Sequence, residues 1–321
     1  MSRNTAGLTW SLIEQARARI ADKVSVTPVL TSASLDAASG ARLYFKCENL
    51  QKCGAFKARG ATNAVFALSP EEAPRGVATH SSGNHAAALA RAARLRGIRA
   101  TVVMPQGSAA AKSAAVVRYG GEITWCAPTL AAREATLREV LDATGAIAVH
   151  PYDDLIVMAG QATAAAELLA QVPDLELILC PIGGGGLLAG TAFAATTLNP
   201  ALRVIGVEPS GADDAARSFR AGRILPNPNP ATIADGLRAT VGEQPFAEIR
   251  RRVADIVTVS DEAIVAAMRS LWEVLKVVVE PSGAVPYAAL LGDRYPQLRG
   301  KRIGIILSGG NVDLDRLPWG G

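Results

Sequence analysis

Short β-like runs alternate with helical stretches along almost the whole chain. The run ARLYFKC precedes a helix that the pattern starts near Phe56. GVATH leads into GNHAAALARAARLRG, where alanine and leucine recur at helical spacing, and RATVVMP leads into SAAAKSAAVVRYG. GEITWC is followed by LAAREATLREVLDATG, LELILCPI by GLLAGTAFAATTL, and LRVIGVEP by ADDAARSFRAG. DIVTVS then precedes DEAIVAAMRSLWEVLKV, and KRIGIILSGG closes the series. Strands alternating with helices predict parallel sheets covered on both faces. In such sheets ligands collect beyond the carboxyl ends of the strands, in the loops that open the helices. ILPNPNPATIADG is the most loop-like stretch, because its prolines exclude regular structure.

Composition narrows the class. The chain has 321 residues, of which 49% are hydrophobic and 19% charged, enough for a large core divided over two domains. Net charge is only +4 with the basic residues scattered. The longest basic cluster, Arg250 to Arg252, reads as a solvated helix end, so nucleic acid is not an expected partner. Apolar runs are short and interrupted, which predicts no membrane span, and MSRNTAGLTW lacks the apolar core of a signal peptide. Cys47, Cys53, Cys126 and Cys180 form no CxxC pair and have no partnered histidines. That argues against structural zinc and a disulfide scaffold, and predicts a reducing, cytoplasmic compartment.

Five stretches carry chemistry. In QKCGAFKARG, Lys57 sits between an aromatic ring and small residues at a helix start. Withdrawn from water, such an ammonium loses basicity, and its neutral form can join an aldehyde as a Schiff base. After GVATH comes SSGNH (Ser81, Ser82, Gly83, Asn84, His85), hydroxyls and an amide at a helix N-terminus that suit a carboxylate or an ordinary cap. After LELILCPI come Gly183, Gly184, Gly185 and Gly186, which let backbone amides approach an anion, with a helix dipole favouring phosphate. No GK[ST] follows, so this is not a P-loop. Gly184, Gly186 and Ala189 do satisfy G-x-G-x-x-A, with Glu208 ending the next strand, so a dinucleotide-binding oxidoreductase is the rival enzyme class. LSGGN places Ser308 at a strand's carboxyl end, where its hydroxyl can meet a ring nitrogen. In VEPSGADD, Glu208 and Asp214 flank a turn and suit either a hard cation or a helix N-terminus.

Taken together and in order, these segments resemble the fold-type II pyridoxal-phosphate enzymes, in particular the serine racemase and serine/threonine dehydratase group. The resemblance runs from TPVLTSASL to LSGGN through FKCENLQKCGAFKARGATNAV, THSSGNHAAALA, GGGGLLAG, VEPSGADDAARS, TIADG and EPSGA. It implies a tryptophan-synthase-β-like α/β fold with two domains, each a mostly parallel twisted sheet covered by helices. Residues 1–73 and 151–321 would form the large cofactor domain and 74–150 a small mobile one. By resemblance, Lys57 carries pyridoxal 5'-phosphate as a Schiff base and Phe56 flanks the ring. Asn84 bonds the phenolic oxygen, Gly183 to Gly186 with Leu187 hold the phosphate, and Ser308 faces the pyridine nitrogen. Ser81 to His85 take the substrate carboxylate with Arg133 as a closing partner, and Ser82 is the acid/base opposite Lys57. Glu208, the Ala212 carbonyl and Asp214 match a divalent metal site for Mg²⁺ or Ca²⁺, a monovalent cation being the alternative.

The implied reaction is β-elimination from a β-hydroxy-α-amino acid to a 2-oxo acid and ammonia, with racemisation as the alternative and a homodimer as the assembly. The chain departs from the family pattern at Cys53 and Ala55, and at Ala239, where the racemase has a substrate-contacting serine. A roomier, less polar pocket is the consequence expected, favouring threonine or an aryl-substituted substrate such as phenylserine over serine.

Overall fold

The computed structural model describes residues 7–81, 83–108, 110–291 and 296–319. Its strands are β1 (Val29–Leu30), β2 (Arg42–Cys47), β3 (Val77–His80), β4 (Ala100–Pro105), β5 (Glu122–Cys126), β6 (Ile147–Ala148), β7 (Leu177–Pro181), β8 (Arg203–Pro209), β9 (Asp255–Val259) and β10 (Arg302–Leu307). The helices up to the middle of the chain are α1 (Trp10–Ile20), α2 (Ala33–Ser39), α3 (Lys57–Phe66), α4 (Asn84–Arg96), α5 (Ala110–Arg118) and α6 (Leu130–Thr144). The remainder are α7 (Leu155–Gln171), α8 (Gly186–Leu198), α9 (Asp214–Ala221), α10 (Glu243–Arg252), α11 (Asp261–Ser270) and α12 (Pro281–Ala288).

One sheet has the order β1-β2-β10-β7-β8-β9, parallel except for the short edge pairing of β1 with β2. The other is β5-β4-β3-β6, all parallel, with every strand drawn from residues 77–148. Successive side chains of a strand point to opposite faces, and in β7 both faces are apolar. Leu177 and Leu179 pack with Met268, Val285 and Ile305, whereas Ile178 and Cys180 pack with Leu168, Leu188 and Ile249. Helices α1, α7, α8 and α10 therefore cover one face, and α11 and α12 the other. This is the two-sided burial expected of continuous Val/Ile/Leu runs.

Each expected strand-helix pair is present. The helix expected near Phe56 begins at Lys57. The helix expected over DEAIVAAMRSLWEVLKV is interrupted: α11 ends at Ser270, Leu271–Leu275 form a wider π turn, and Lys276 is left-handed (φ 59°). In that turn the Trp272 indole donates to the Val279 carbonyl (3.0 Å) and packs edge-on against Trp319. Helix α7, with 17 residues, has no counterpart in the sequence reading. Thirteen of its residues, from Leu155 to Leu169, are buried all around the helix, so it lacks the polar stripe that marks a surface helix.

Helix α7 matters because it fixes α3. A Cβ on Gly160 would lie 2.6 Å from the Gly60 Cα, so the two glycines let the helices touch backbone to backbone. The Gln161 side chain accepts from the Gly60 amide (3.1 Å). Two residues after Lys57, the buried Arg59 guanidinium pairs with Glu48 (2.7 Å) and Glu167 (2.9 Å), and Glu167 also holds Lys46 (2.6 Å). Such a network adds little net stability, but removing one partner strands a buried charge. It holds the first turn of α3 in place.

Candidate active site

The chain before Lys57 is stitched to the loop after β10. The Phe56 amide donates to the Ser308 carbonyl (3.0 Å), and Ala55 bridges Gly309. Helix α3 then opens at Lys57 with no side-chain cap. The Lys57 ammonium donates to the Pro151 carbonyl (2.6 Å) and lies 5.1 Å from the centre of the Phe56 ring. Loss of water around the ammonium lowers its pKa from 10.5 to about 8, with no carboxylate opposing the shift. The amine is thus available near neutral pH.

A titration prediction follows for cofactor-free protein. The unfolded chain keeps this proton up to about 10.5, whereas the folded chain releases it above about 8. Over that window the unfolded state binds more protons, so this group makes stability rise with pH. Amine acylation of Lys57, followed by peptide mass spectrometry, should be half-maximal near pH 8. A midpoint near 10.5 would mean a solvated lysine.

The segment after β6 forms the wall beside Lys57. His150 Nδ1 accepts from the amides of Asp153 (2.8 Å) and Tyr152 (3.4 Å), so this nitrogen carries no proton. Burial drives the His150 pKa down to about 4, which keeps the ring neutral. The ring packs edge-on against both His80 and Tyr152. The Asp153 carboxylate accepts from the Glu243 and Gln244 amides, capping α10. All three histidines of the chain gather here, for His85 is also buried, with Nε2 3.4 Å from the Val149 carbonyl. Burial first, then the Lys57 charge, hold His85 well below its usual pKa.

Beyond β7, the four glycines are shaped by what surrounds them. A Cβ on Gly183 would meet the Leu237 backbone at 2.8 Å, and one on Gly184 the Tyr152 ring at 2.4 Å. At Gly185 φ is +91°, and a Cβ would lie 2.8 Å from Pro245. Walls therefore press on the side-chain positions, while the amides of Gly183 to Leu187 find no acceptor among the described residues. Helix α8 starts at Gly186, so its positive end faces the same place. An anion fits this cradle.

The SSGNH segment joins β3 to α4. Asn84 Nδ2 donates to Glu280 (2.8 Å), and Asn84 Oδ1 accepts from Asn311 (2.9 Å). Apart from its chain neighbours, nothing lies within 4 Å of a Cβ built on Gly83, so the side-chain position there is open. Ser82 lies outside the described residues. Ser308 is buried, with its hydroxyl 3.4 Å from the Ser282 carbonyl, a contact long enough to leave it free for a better partner. Lys57, Phe56, Asn84 and Ser308 are thus joined through the residues 53–57, 84, 280 and 308–311. The other two expected substrate contacts, Arg133 and Ala239, make no described hydrogen bond to these residues. Arg133 lies near His80 and Cys126, which its charge affects, and its buried Nε has no partner. Ala239 is half-buried beyond Leu237, and no described contact brings it to Lys57 or Asn84.

Glu208, next to last in β8, accepts from the amides of Ala215 (3.0 Å) and Ala216 (2.8 Å), capping α9 from a distance. Asp214 accepts from the Val241 amide (3.0 Å) and Asn227 (2.8 Å), and Ala212 is buried between the two acids. Burial, then the Asp214 charge, push Glu208 up to about 8, and burial raises Asp214 to about 6. Neither acid forms an ion pair among the described residues. Two buried carboxylates are the donor type a hard cation takes, although each of their four oxygens here accepts from an N–H group.

A family described as pyridoxal-phosphate dependent enzymes matches residues 20–309. The chain belongs to this family. A serine racemase from Oryza sativa subsp. indica is 51% identical over 306 residues, covering 94% of this chain and 90% of that protein. A beta-hydroxyaspartate dehydratase from Paracoccus denitrificans is 50% identical over 312 residues, covering 97% and 98%. The solved structure of maize serine racemase superposes with a TM-score of 0.95 at 48% identity, covering 97% and 95%. The fold is therefore that of the pyridoxal-phosphate enzymes, and pyridoxal phosphate is the cofactor the family uses. This overturns the dinucleotide reading, in which Glu208 was to hold a ribose; its oxygens instead meet the α9 amides. It also shifts weight from elimination towards racemisation, the activity that two of these three relatives are named for.

Sequence reasoning missed Glu280, Asn311, His150 and Tyr152. EPSGA and LSGGN were singled out, but for the motif and for Ser308. A lone carboxylate in the apolar run VVVEPSGA, and one of only three histidines directly after IAV, were the available signals.

Proposed function

We propose that the chain is an amino-acid racemase that also eliminates water from small β-hydroxy-α-amino acids. The observation that carries this reading is the Lys57 amine, buried, tuned to about 8 and set among the open SSGNH loop, the glycine cradle and Ser308. When bound, pyridoxal phosphate supplies the electron sink for a carbanion at the substrate α-carbon. Gly183 to Leu187 would hold its phosphate, Asn84 its phenolic oxygen and Ser308 its ring nitrogen, with Phe56 beside the ring. Ser81 to His85 would seat the substrate carboxylate on the α4 N-terminus.

Lys57 takes the α-proton as general base. For racemisation, Ser82 delivers a proton to the opposite face, so the net change is inversion alone. For elimination, the Cβ–O bond breaks and the hydroxyl leaves with a proton as water. Hydrolysis of the released enamine gives the 2-oxo acid and ammonia. A hydroxyl at Ser308, unlike a carboxylate, would leave the ring nitrogen largely unprotonated, which would restrain the sink and keep both outcomes open. Residues 74–150 would move as the small domain against 1–73 and 151–321, and the chain would work as a homodimer. Among the described residues no helix is long and apolar enough to cross a membrane.

A second substrate reading draws support from Arg133. Its buried, unpartnered Nε suits a second carboxylate, as in a 3-hydroxyaspartate. A panel of L-serine, D-serine, L-threonine, L-threo-3-hydroxyaspartate and L-threo-phenylserine tests both readings and the roomy-pocket expectation. L-Serine should yield D-serine and 2-oxo acid together, and Ser82→Ala should abolish inversion while sparing much of the L-elimination. Equal loss of both activities would end the role of Ser82 as second base. Preference for 3-hydroxyaspartate that is lost in Arg133→Ala would favour the dicarboxylate reading, and preference for phenylserine the roomy pocket.

We further propose that Glu208, Ala212 and Asp214 hold Mg²⁺ or Ca²⁺ chiefly to support the fold. Chelator should lower the melting temperature, and added metal should restore it. Unchanged melting in chelator, alike in Asp214→Ala, would leave the acids as helix-capping groups.

A further inference from the structure

We infer that Asn311 and Glu280 are positioning residues that fix the polarity of the Asn84 carboxamide, aiming its free N–H at the cofactor's phenolic oxygen. The inference rests on the reading above that Asn84 meets this oxygen. A carboxamide has a donor end and an acceptor end of nearly equal shape, and left free it can present either. The phenolic oxygen needs the donor end.

The polarity is set by a chain of contacts that starts at a group with no choice. The Cys53 carbonyl can only accept, and Asn311 Nδ2 lies 2.7 Å from it. That fixes which end of Asn311 is its amino group. The same nitrogen lies 2.9 Å from Asn84 Oδ1, so both Asn311 hydrogens are engaged and the Asn84 oxygen is turned towards them. Asn84 Nδ2 then meets Glu280 Oε1 at 2.8 Å, which leaves one Asn84 N–H unspoken for.

The surroundings are shaped to permit these contacts. Cys53 and Gly54 are both left-handed (φ 59° and 68°), turning the chain just before Lys57. Glu280 is buried, with its own amide bonded to the Gly309 carbonyl (3.0 Å). A Cβ on Gly309 would sit 2.5 Å from Glu280 Oε1 and 3.1 Å from Asn84 Nδ2, so only glycine there lets the carboxylate and the amide meet. Burial, then the Asp235 charge, raise the Glu280 acid to about 7, with Lys112 acting in the opposite sense. Glu280 keeps an acceptor oxygen for Asn84 in either protonation state. Asn311 itself is exposed and, by this account, acts only through Asn84.

The test is a double-mutant cycle on cofactor affinity, read by titrating cofactor-free protein with pyridoxal phosphate. Asn311→Ala is expected to weaken binding about tenfold, the scale of one oriented hydrogen bond, and to shift the visible absorption band of the bound cofactor. In an Asn84→Ala background the same change should cost less than about twofold, because the group it orients is gone. Asn311→Asp, which removes both donated hydrogens without leaving a gap, should weaken binding at least as much as Asn311→Ala. The melting temperature of each cofactor-free variant should stay near that of the parent. Additive losses in the double variant, or melting temperatures that fall in step with affinity, would overturn the relay while leaving the enzyme reading intact. A parent chain that binds no pyridoxal phosphate would overturn both.

Discussion

Lys57→Ala is expected to lower turnover by about a thousandfold or more for every substrate the parent accepts. The size follows from the two tasks given to one amine, covalent attachment of the cofactor and proton transfer at the α-carbon. Folding is expected to be spared, since the ammonium pairs with no acid and its described hydrogen bond is to a single carbonyl, that of Pro151. Replacing a buried lysine by a small residue relieves a desolvation cost at neutral pH while leaving a gap, so the net effect on stability is small. Phosphate binding should survive as well, because the cradle of Gly183 to Leu187 is built from a different segment. Lys57→Arg keeps the charge but not an amine near neutral pH, and should be as inactive as Lys57→Ala. An active Lys57→Ala variant would remove the lysine from the chemistry.

The second large effect concerns Gly185. With φ at +91° and Pro245, Ile249 and Val241 within 2.8 to 3.1 Å of a built Cβ, Gly185→Ala meets both backbone strain and overpacking. These add to about 2–4 kcal/mol, which for a chain of this size lowers the melting temperature by roughly 5–10 °C. Pyridoxal phosphate affinity should fall with it, because the loop that presents the amides must move. Gly83→Ala is the control. Apart from its chain neighbours, no atom lies within 4 Å of its Cβ, so melting should not change, and any loss would appear in substrate affinity. Equal effects on melting at the two positions would mean that the cradle is not held by its neighbours.

The contrast between these glycines shows what a sequence can disclose. Alternating apolar runs were enough to place eight of the ten strands and the helices after them, because buried parallel strands leave an unbroken Val/Ile/Leu signature; the two-residue edge strands β1 and β6 are too short to leave one. The loops beyond their carboxyl ends were legible because glycine and hydroxyl residues cluster there. Helix α7 was not, since burial on all sides erases the 3.6-residue stripe, as in LIVMAGQATAAAELLAQ. Nor was the pairing of Gly60 with Gly160, one hundred residues apart, which sets where Lys57 stands. Periodicity reports a residue's own element and says nothing of its partner. For the same reason Glu280 and Asn311 were passed over, although both lie within quoted motifs. Their meaning comes from Asn84, which opens α4 after a strand of the other sheet. Arg133 and Ala239 were named by resemblance alone, and no described hydrogen bond joins either to the amine.

Reduction of purified protein with borohydride, followed by peptide mapping, tests the central claim most directly. The account predicts a pyridoxyl group on a single residue, Lys57, in the peptide containing GAFKARG. Pyridoxyl on another lysine, or none in protein saturated with pyridoxal phosphate, would contradict it.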